Sequence, residues 1–181
     1  MSLQLILGCM YSGKSTELIR RVNRFKSIGK KVLVINHKID NRYTTEDAVV
    51  SHSGSSVESI KSDSIENINV CEYDVIAIDE GQFFEDLYPR VLFWTDEHQK
   101  TVVIAGLSGD FQRKTMGHLL SLIPHCDDLS FTRAYCSSCR NGTHATFTLR
   151  LTDDTEQVVV GTTDMYMAVC RSCYLKQYKY V

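Results

Sequence analysis

Residues Gly8-Cys9-Met10-Tyr11-Ser12-Gly13-Lys14-Ser15 satisfy the pattern G-x-x-x-x-G-K-[ST] at every fixed position. Such a run suits a nucleoside triphosphate. Its glycines let backbone N–H groups face phosphate oxygens, its lysine reaches the β- and γ-phosphates, and its hydroxyl ligates Mg²⁺. Lys14 and Ser15 would fill the last two roles. The apolar run Leu3–Leu7 precedes the pattern, and the helix-like Ser15–Arg21 follows it. In that strand–loop–helix setting the helix N-terminus adds a favourable dipole for an anion. The alternative, a Gly-rich turn before an ordinary helix, is disfavoured by the flanking strand and helix signals.

A second chemical signal is Val75-Ile76-Ala77-Ile78-Asp79-Glu80, an apolar strand that empties into two carboxylates. In phosphate-loop proteins an aspartate at this place holds Mg²⁺. Asp79 is therefore expected to face the metal and stay ionised. Glu80, one residue on, is placed to take a proton from an acceptor hydroxyl. Taken alone, the pair would read equally well as two solvated turn residues.

A third signal lies in the cysteines. Cys136-Ser137-Ser138-Cys139 and Cys170-Arg171-Ser172-Cys173 are two C-x-x-C pairs separated by 30 residues. Two such turns can complete a tetrahedral Cys₄ site, and four sulfur ligands leave no open position for catalysis, so structural Zn²⁺ is favoured. A redox dithiol and buried free thiols are the alternatives. The metal would close the long intervening segment at its base. Cys9, Cys71 and Cys126 carry no motif and read as small apolar residues.

These groups need a scaffold. Strands are expected over residues 3–7, 31–35, 73–80 and 101–105. Helices are expected over 15–28 and 84–99, the latter despite Pro89. Continuous apolar strands alternating with helices imply a parallel sheet covered on both faces. Residues 37–69 are polar and read as a long surface excursion with one short helix. After about residue 130 the pattern changes to cysteine pairs and β-like runs at 145–151 and 157–160. The expected division is a nucleotide-binding core, 1–132, and a small cysteine-rich domain, 133–181.

The chain has 181 residues, 43% of them hydrophobic, with a net charge of −2. That size suits one domain with an appendage. The slight acidity supplies no global field for nucleic acid. No apolar run of the ~18 residues that suggest a membrane span occurs. A strand and phosphate loop at the start leave no room for a signal peptide. Seven cysteines, an odd number beside a phosphate loop, argue against a secreted disulfide framework. A reducing, cytoplasmic setting is expected.

Further segments complete the order: Asp40-Asn41-Arg42-Tyr43, Asp79-Glu80-Gly81-Gln82-Phe83-Phe84, Phe111-Gln112-Arg113-Lys114 and Gly161-Thr162-Thr163-Asp164-Met165-Tyr166. Together with the phosphate loop and Cys₄ pattern, over residues 3–176, this order resembles the type II thymidine kinases of cells, bacteria and poxviruses. The resemblance implies an α/β P-loop NTPase core of the RecA-like kind with a small C-terminal zinc-binding lasso domain. It implies ATP as phosphate donor, thymidine as acceptor, and Mg²⁺ and structural Zn²⁺ as cofactors. A homotetramer with dTTP as feedback inhibitor is implied too, with neither nucleic acid nor membrane as partner.

On the same basis Glu80 matches the general base and Arg42 an arginine near the transferred phosphate. Met10, Phe83, Leu107, Phe111, Thr148 and Tyr166 match positions of the nucleoside pocket. Gln157-Val158-Val159-Val160-Gly161 match the lasso whose backbone reads the thymine edge. Departures from the family's pattern gather near Phe111. Ser108 stands where an aspartate is usual, Asp110 where a threonine is, and Thr115-Met116 replace Pro-Phe. Cys9 replaces a proline in the loop, and Thr162 the second glycine of a pair.

Other readings share parts of the pattern. An ATP-driven nucleic-acid motor would use the same loop, acidic pair and zinc module, but it calls for a basic–aromatic stripe that the sequence lacks. A GTPase-like switch finds only a misplaced near miss at Asn36-His37-Lys38-Ile39-Asp40. A non-catalytic zinc scaffold leaves the phosphate loop unexplained.

Overall fold

The computed structural model describes residues 1–40, 48–50, 55–159, 161 and 163–177. Strand β1, Ser2–Gly8, leads through the phosphate loop into helix α1, Lys14–Ser27. Strand β2, Val32–His37, follows. The polar excursion then supplies three short strands, β3 Ala48–Val50, β4 Ser56–Glu58 and β5 Ile60–Ser62, and no helix among its described residues. β3 and β4 pair antiparallel, while β5 joins the main sheet beside β2. Strand β6, Val75–Asp79, carries the acidic pair at its end.

The helix expected over 84–99 forms in pieces. A 3₁₀ turn spans Gly81–Phe83, helix α2 spans Leu87–Leu92, and a π-helical turn spans Phe93–Glu97. Asp86 explains the late start. Its Oδ2 accepts the N–H groups of Ile65 and Glu66 and the Ser64 hydroxyl, so it anchors the end of the excursion. Pro89 sits in the first turn of α2, where its missing N–H costs nothing. At Thr95 the hydroxyl donates back to the carbonyls of Val91 and Leu92, a contact that loosens the ladder there.

Strand β7, Thr101–Leu107, a 3₁₀ segment, Leu119–His125, and strand β8, Asp128–Thr132, complete the sheet. Its six strands run in the order β5-β2-β6-β7-β1-β8, and every pairing is parallel. β1 therefore lies between β7 and β8, with the loop at its C-terminal end beside the C-terminal end of β7. That edge is where open parallel sheets bind ligands.

Both sheet faces are buried, which is why the strands read as unbroken apolar runs. Leu3, Leu5 and Leu7 of β1 pack with Ile76, Ile78, Ile104, Phe84 and Trp94 on one face. Ile6 packs with Leu18, Ile19 and Val22 of α1 on the other. After Thr132 the strands among the described residues form two-stranded pieces. β9, Ala134–Tyr135, pairs with β10, His144–Ala145, and β11, Phe147–Arg150, pairs with β12, Tyr166–Val169. Helix α3, Arg171–Gln177, follows. Residues 157–159, expected as strand-like, lie outside any strand. Among the described residues no helix is long and apolar enough to cross a membrane.

Candidate functional site

The loop between β1 and α1 depends on close approach at Gly8 and on left-handed backbone at its other end. A methyl group on Gly8 would lie 2.4 Å from Thr132 Oγ1 and 2.5 Å from Ser12 Oγ. Tyr11 at φ 63° and Gly13 at φ 83° turn the chain through the left-handed region into the helix. That conformation is natural for glycine and costs a tyrosine free energy. Lys14 is buried, and its Nζ donates to the Cys9 carbonyl at 2.9 Å. Ser12 Oγ lies 2.8 Å from the same carbonyl and 2.8 Å from Thr132 Oγ1. One loop N–H is already engaged: Met10 N donates to Thr148 Oγ1 at 3.0 Å. Cys9 is a packed thiol, as its lack of motif suggests. It donates to the Ala145 carbonyl at 3.5 Å, and burial pushes its pKa up.

Asp79 and Glu80 are both buried at the end of β6. Burial first, and the neighbouring Glu80 charge second, push the Asp79 carboxyl up to about 7, against the pull of Ser15 and Lys14. The expectation of a simply ionised Asp79 thus needs a condition. A cation beyond Lys14 must neighbour it, because desolvation favours the neutral acid. The Ser15 hydroxyl lies close enough to the Asp79 carboxyl to lower its pKa, so two hard oxygen donors lie beside the phosphate loop. That donor set suits Mg²⁺.

Glu80 takes a left-handed conformation, φ 54° and ψ 41°. Its Oε2 accepts Gln82 Nε2 at 2.6 Å, while Gln82 Oε1 accepts the Leu107 N–H at 3.0 Å. Gln82 thereby ties the carboxylate to the neighbouring strand. The approach is tight, since a methyl group on Gly106 would lie 2.4 Å from Gln82 Oε1.

Glu80 opens onto a cavity that gathers the expected pocket residues. Met10, Phe83, Leu107 and Phe111 line it, with Thr148 and Tyr166 from the cysteine-rich module. Gln157, Val158, Val159 and Gly161 line it as well. Arg42 and Val160 lie outside the described residues. Sequence reasoning did not place Asp40 or Arg150 in the pocket, yet both line it, beside Asp110 and Met116 from the departures around Phe111.

Arg150 is the most consequential of these. It is buried, and its guanidinium lies 3.7 Å from the Phe111 ring centroid, a cation–π stack. Its Nη1 donates to the carbonyls of Asp154 and Glu156, and its Nη2 to the Gln157 carbonyl and the Tyr166 hydroxyl. Tyr166 Oη in turn donates to the Val159 carbonyl at 2.7 Å. One side chain thus shapes residues 154–159 and fixes two aromatic rings. A sequence clue existed: a charged residue ends the apolar run Phe147-Thr148-Leu149 at a position that faces inward.

The four cysteines of the C-x-x-C pairs come together, with every Sγ within 4.8 Å of the others. Ideal tetrahedral Zn–S bonds of about 2.3 Å would set sulfurs roughly 3.8 Å apart, so the cluster could hold a metal with small adjustments. All four are free thiols. Burial opposes ionisation of Cys136, but the N–H groups of Cys139, Cys170 and Ser138 outweigh it and bring the thiol to about 6. A thiolate is the form a metal requires. Of the motif-free cysteines, Cys9 is buried, Cys126 half-buried and Cys71 exposed, so only Cys9 fits the apolar expectation fully.

The thymidine kinase family model matches residues 1–174. The chain belongs to the thymidine kinase family. A thymidine kinase of vaccinia virus (strain Western Reserve) is 39% identical over 175 residues, covering 96% of each chain. That of variola virus (isolate Human/India/Ind3/1967) is 38% identical with the same coverage. The thymidine kinase of Amsacta moorei entomopoxvirus is 35% identical over 185 residues, 98% of this chain and 100% of the relative. Family membership accounts for the joint presence of the phosphate loop, the acidic pair, the apolar cavity and the cysteine cluster. It also makes the chain a phosphotransferase by descent, on a six-stranded parallel α/β core.

Proposed function

We propose that this chain transfers the γ-phosphoryl group of ATP to the 5′-hydroxyl of thymidine, giving dTMP and ADP. The observation that carries the reading is the position of Glu80. It opens into a cavity walled on one side by the phosphate-loop residue Met10 and on the other by Thr148, Tyr166 and residues 157–159. A base placed between a phosphate site and an apolar, ring-lined pocket suits a small nucleoside acceptor.

In this reading Glu80 accepts the 5′-hydroxyl proton as the oxygen attacks the γ-phosphorus. The bond from that phosphorus to the β,γ-bridging oxygen breaks, and ADP leaves with the electron pair. Residues Gly8 to Ser15 hold the triphosphate, and Lys14 balances charge moving onto the bridge. Mg²⁺ held by Asp79 and Ser15 would neutralise phosphate charge. Arg42 acts beside the transferred group. Phe111 and Tyr166 pack the base, while Phe83, Leu107 and Met10 fill the wall. Backbone groups of 157–161 read the thymine edge.

Zn²⁺ on Cys136, Cys139, Cys170 and Cys173 would act indirectly, by stiffening the module from which the lasso springs. The functional division is a core at 1–132 and a nucleoside-binding lasso domain at 133–181. A cytoplasmic homotetramer inhibited by dTTP completes the proposal. The test is to incubate purified chain with Mg·ATP and each common deoxynucleoside. dTMP should form with ADP in equal amount. ATP hydrolysis stimulated by single-stranded DNA, with no nucleoside monophosphate formed, would favour the nucleic-acid motor instead.

A further inference from the structure

Asp110 is a buried carboxylate on the wall of the cavity, and its two oxygens face different structures. Oδ1 accepts the N–H groups of Gln112 and Lys114, each at 2.8 Å. The backbone closes the same turn, with Asp110 N donating to the Lys114 carbonyl at 2.9 Å and Arg113 N to the Asp110 carbonyl at 3.0 Å. Oδ1 is thus consumed in shaping residues 110–114.

Oδ2 faces the strap of residues 151–159. It accepts Gln157 Nε2 at 2.8 Å, and that same nitrogen donates to the Thr115 carbonyl at 3.0 Å. A carboxamide nitrogen has two donors, and both go to the opposite wall. The Gln157 backbone is held as well, since its carbonyl accepts Arg150 Nη2 at 3.2 Å. The strap therefore has an inner fastening at Arg150 and an outer one at Asp110. The outer one joins two residues that line the cavity and involves an ionisable acceptor, which strengthens the bond.

We propose that Asp110 is a positioning residue that latches the 151–159 strap through Gln157, and so sets how long a nucleoside stays in the cavity. The proposal rests on the nucleoside reading of that cavity. The alternative is that Asp110 merely shapes its own turn. The two oxygens separate these roles. Asp110→Asn keeps an oxygen for Gln112 and Lys114 but turns an NH₂ toward Gln157 Nε2, donor against donor. Gln157→Met removes the latch from the other side and leaves the turn untouched.

The experiment combines amide hydrogen exchange of the nucleoside-free protein with thymidine kinetics, for both single variants and the double. Both singles should speed exchange within 151–159 by about tenfold, the loss expected of one charge-assisted hydrogen bond. The fall in kcat/KM for thymidine should sit mainly in KM, and the double variant should resemble Gln157→Met, because the bond to Asp110 is already lost there. Unchanged exchange in 151–159, a change confined to 110–114, or additive effects in the double variant would overturn the latch. Faster strap exchange in a protein that does not phosphorylate thymidine would instead sustain the latch and overturn the proposed activity.

Discussion

Thr148 Oγ1 accepts the backbone N–H of Met10 at 3.0 Å, so a residue of the cysteine-rich module holds the phosphate loop in shape. Both residues also line the cavity. The phosphate loop and the cavity therefore share a hydrogen bond, and a change on one side must be felt on the other. Thr148→Val keeps the shape but leaves the buried Met10 N–H without its acceptor, at a cost of about 1–3 kcal/mol. Steady-state kinetics should show kcat/KM falling by roughly tenfold or more toward both ATP and thymidine. A defect toward thymidine alone would mean the bond does not couple the sites.

Gln82 holds Glu80 Oε2 at 2.6 Å and is itself held by the Leu107 N–H. Gln82→Met should remove this hold on the carboxylate and loosen its orientation. The expected outcome is a fall in kcat of about 10–100-fold with little change in thymidine KM, because misplacement of a general base acts on the chemical step.

Asp79 yields a pH prediction. Its carboxyl is raised to about 7 in the fold, chiefly by burial. An acid with a raised folded pKa stabilises the fold fully below its unfolded value, near 3.9, and that contribution is lost as pH rises through about 7. In metal-free protein this group should therefore make stability fall between pH 4 and 7. Asp79→Asn should flatten that slope and raise Tm at pH 7.5, while lowering turnover roughly 10²-fold or more. Thermal melts across pH with and without Mg²⁺ check the sign. A metal-free variant less stable than the parent at pH 7.5 would contradict it.

The cysteine cluster should carry one Zn²⁺ per chain when the protein is purified reduced. Cys170→Ser should lose the metal and raise the thymidine KM more than the ATP KM, since Cys170 directly follows β12, the strand that begins at Tyr166. Metal analysis together with the two KM values decides the point.

Much of this was legible in the sequence, for physical reasons. The strands read clearly because both sheet faces are buried, and the phosphate loop because glycine, lysine and hydroxyl must fall at set spacings. The cysteine pairs fall at the short spacing that lets a tight turn present two sulfurs. What was not legible depends on contacts distant in sequence. Asp86 delays helix α2 by serving residues 64–66, and no local pattern announces that. β5 joins the sheet although its three residues are too few for a periodicity signal. Arg150 reads as an ordinary charged strand end until its partners at 154, 156, 157 and 166 are seen around it. Asp110 was visible as a departure from the family's pattern, but its bond to Gln157 spans 47 positions.

The central claim is that Glu80 activates the 5′-hydroxyl of thymidine in this cavity. The most direct measurement compares the parent chain with Glu80→Gln in two readings, equilibrium binding of thymidine and single-turnover formation of dTMP from Mg·ATP. The substitution keeps shape and most hydrogen bonding but removes the carboxylate that takes the proton. Thymidine affinity should stay within a few-fold, while the rate of dTMP formation drops by roughly 10²–10⁴-fold. A Glu80→Gln protein that forms dTMP at the parent rate would contradict the account.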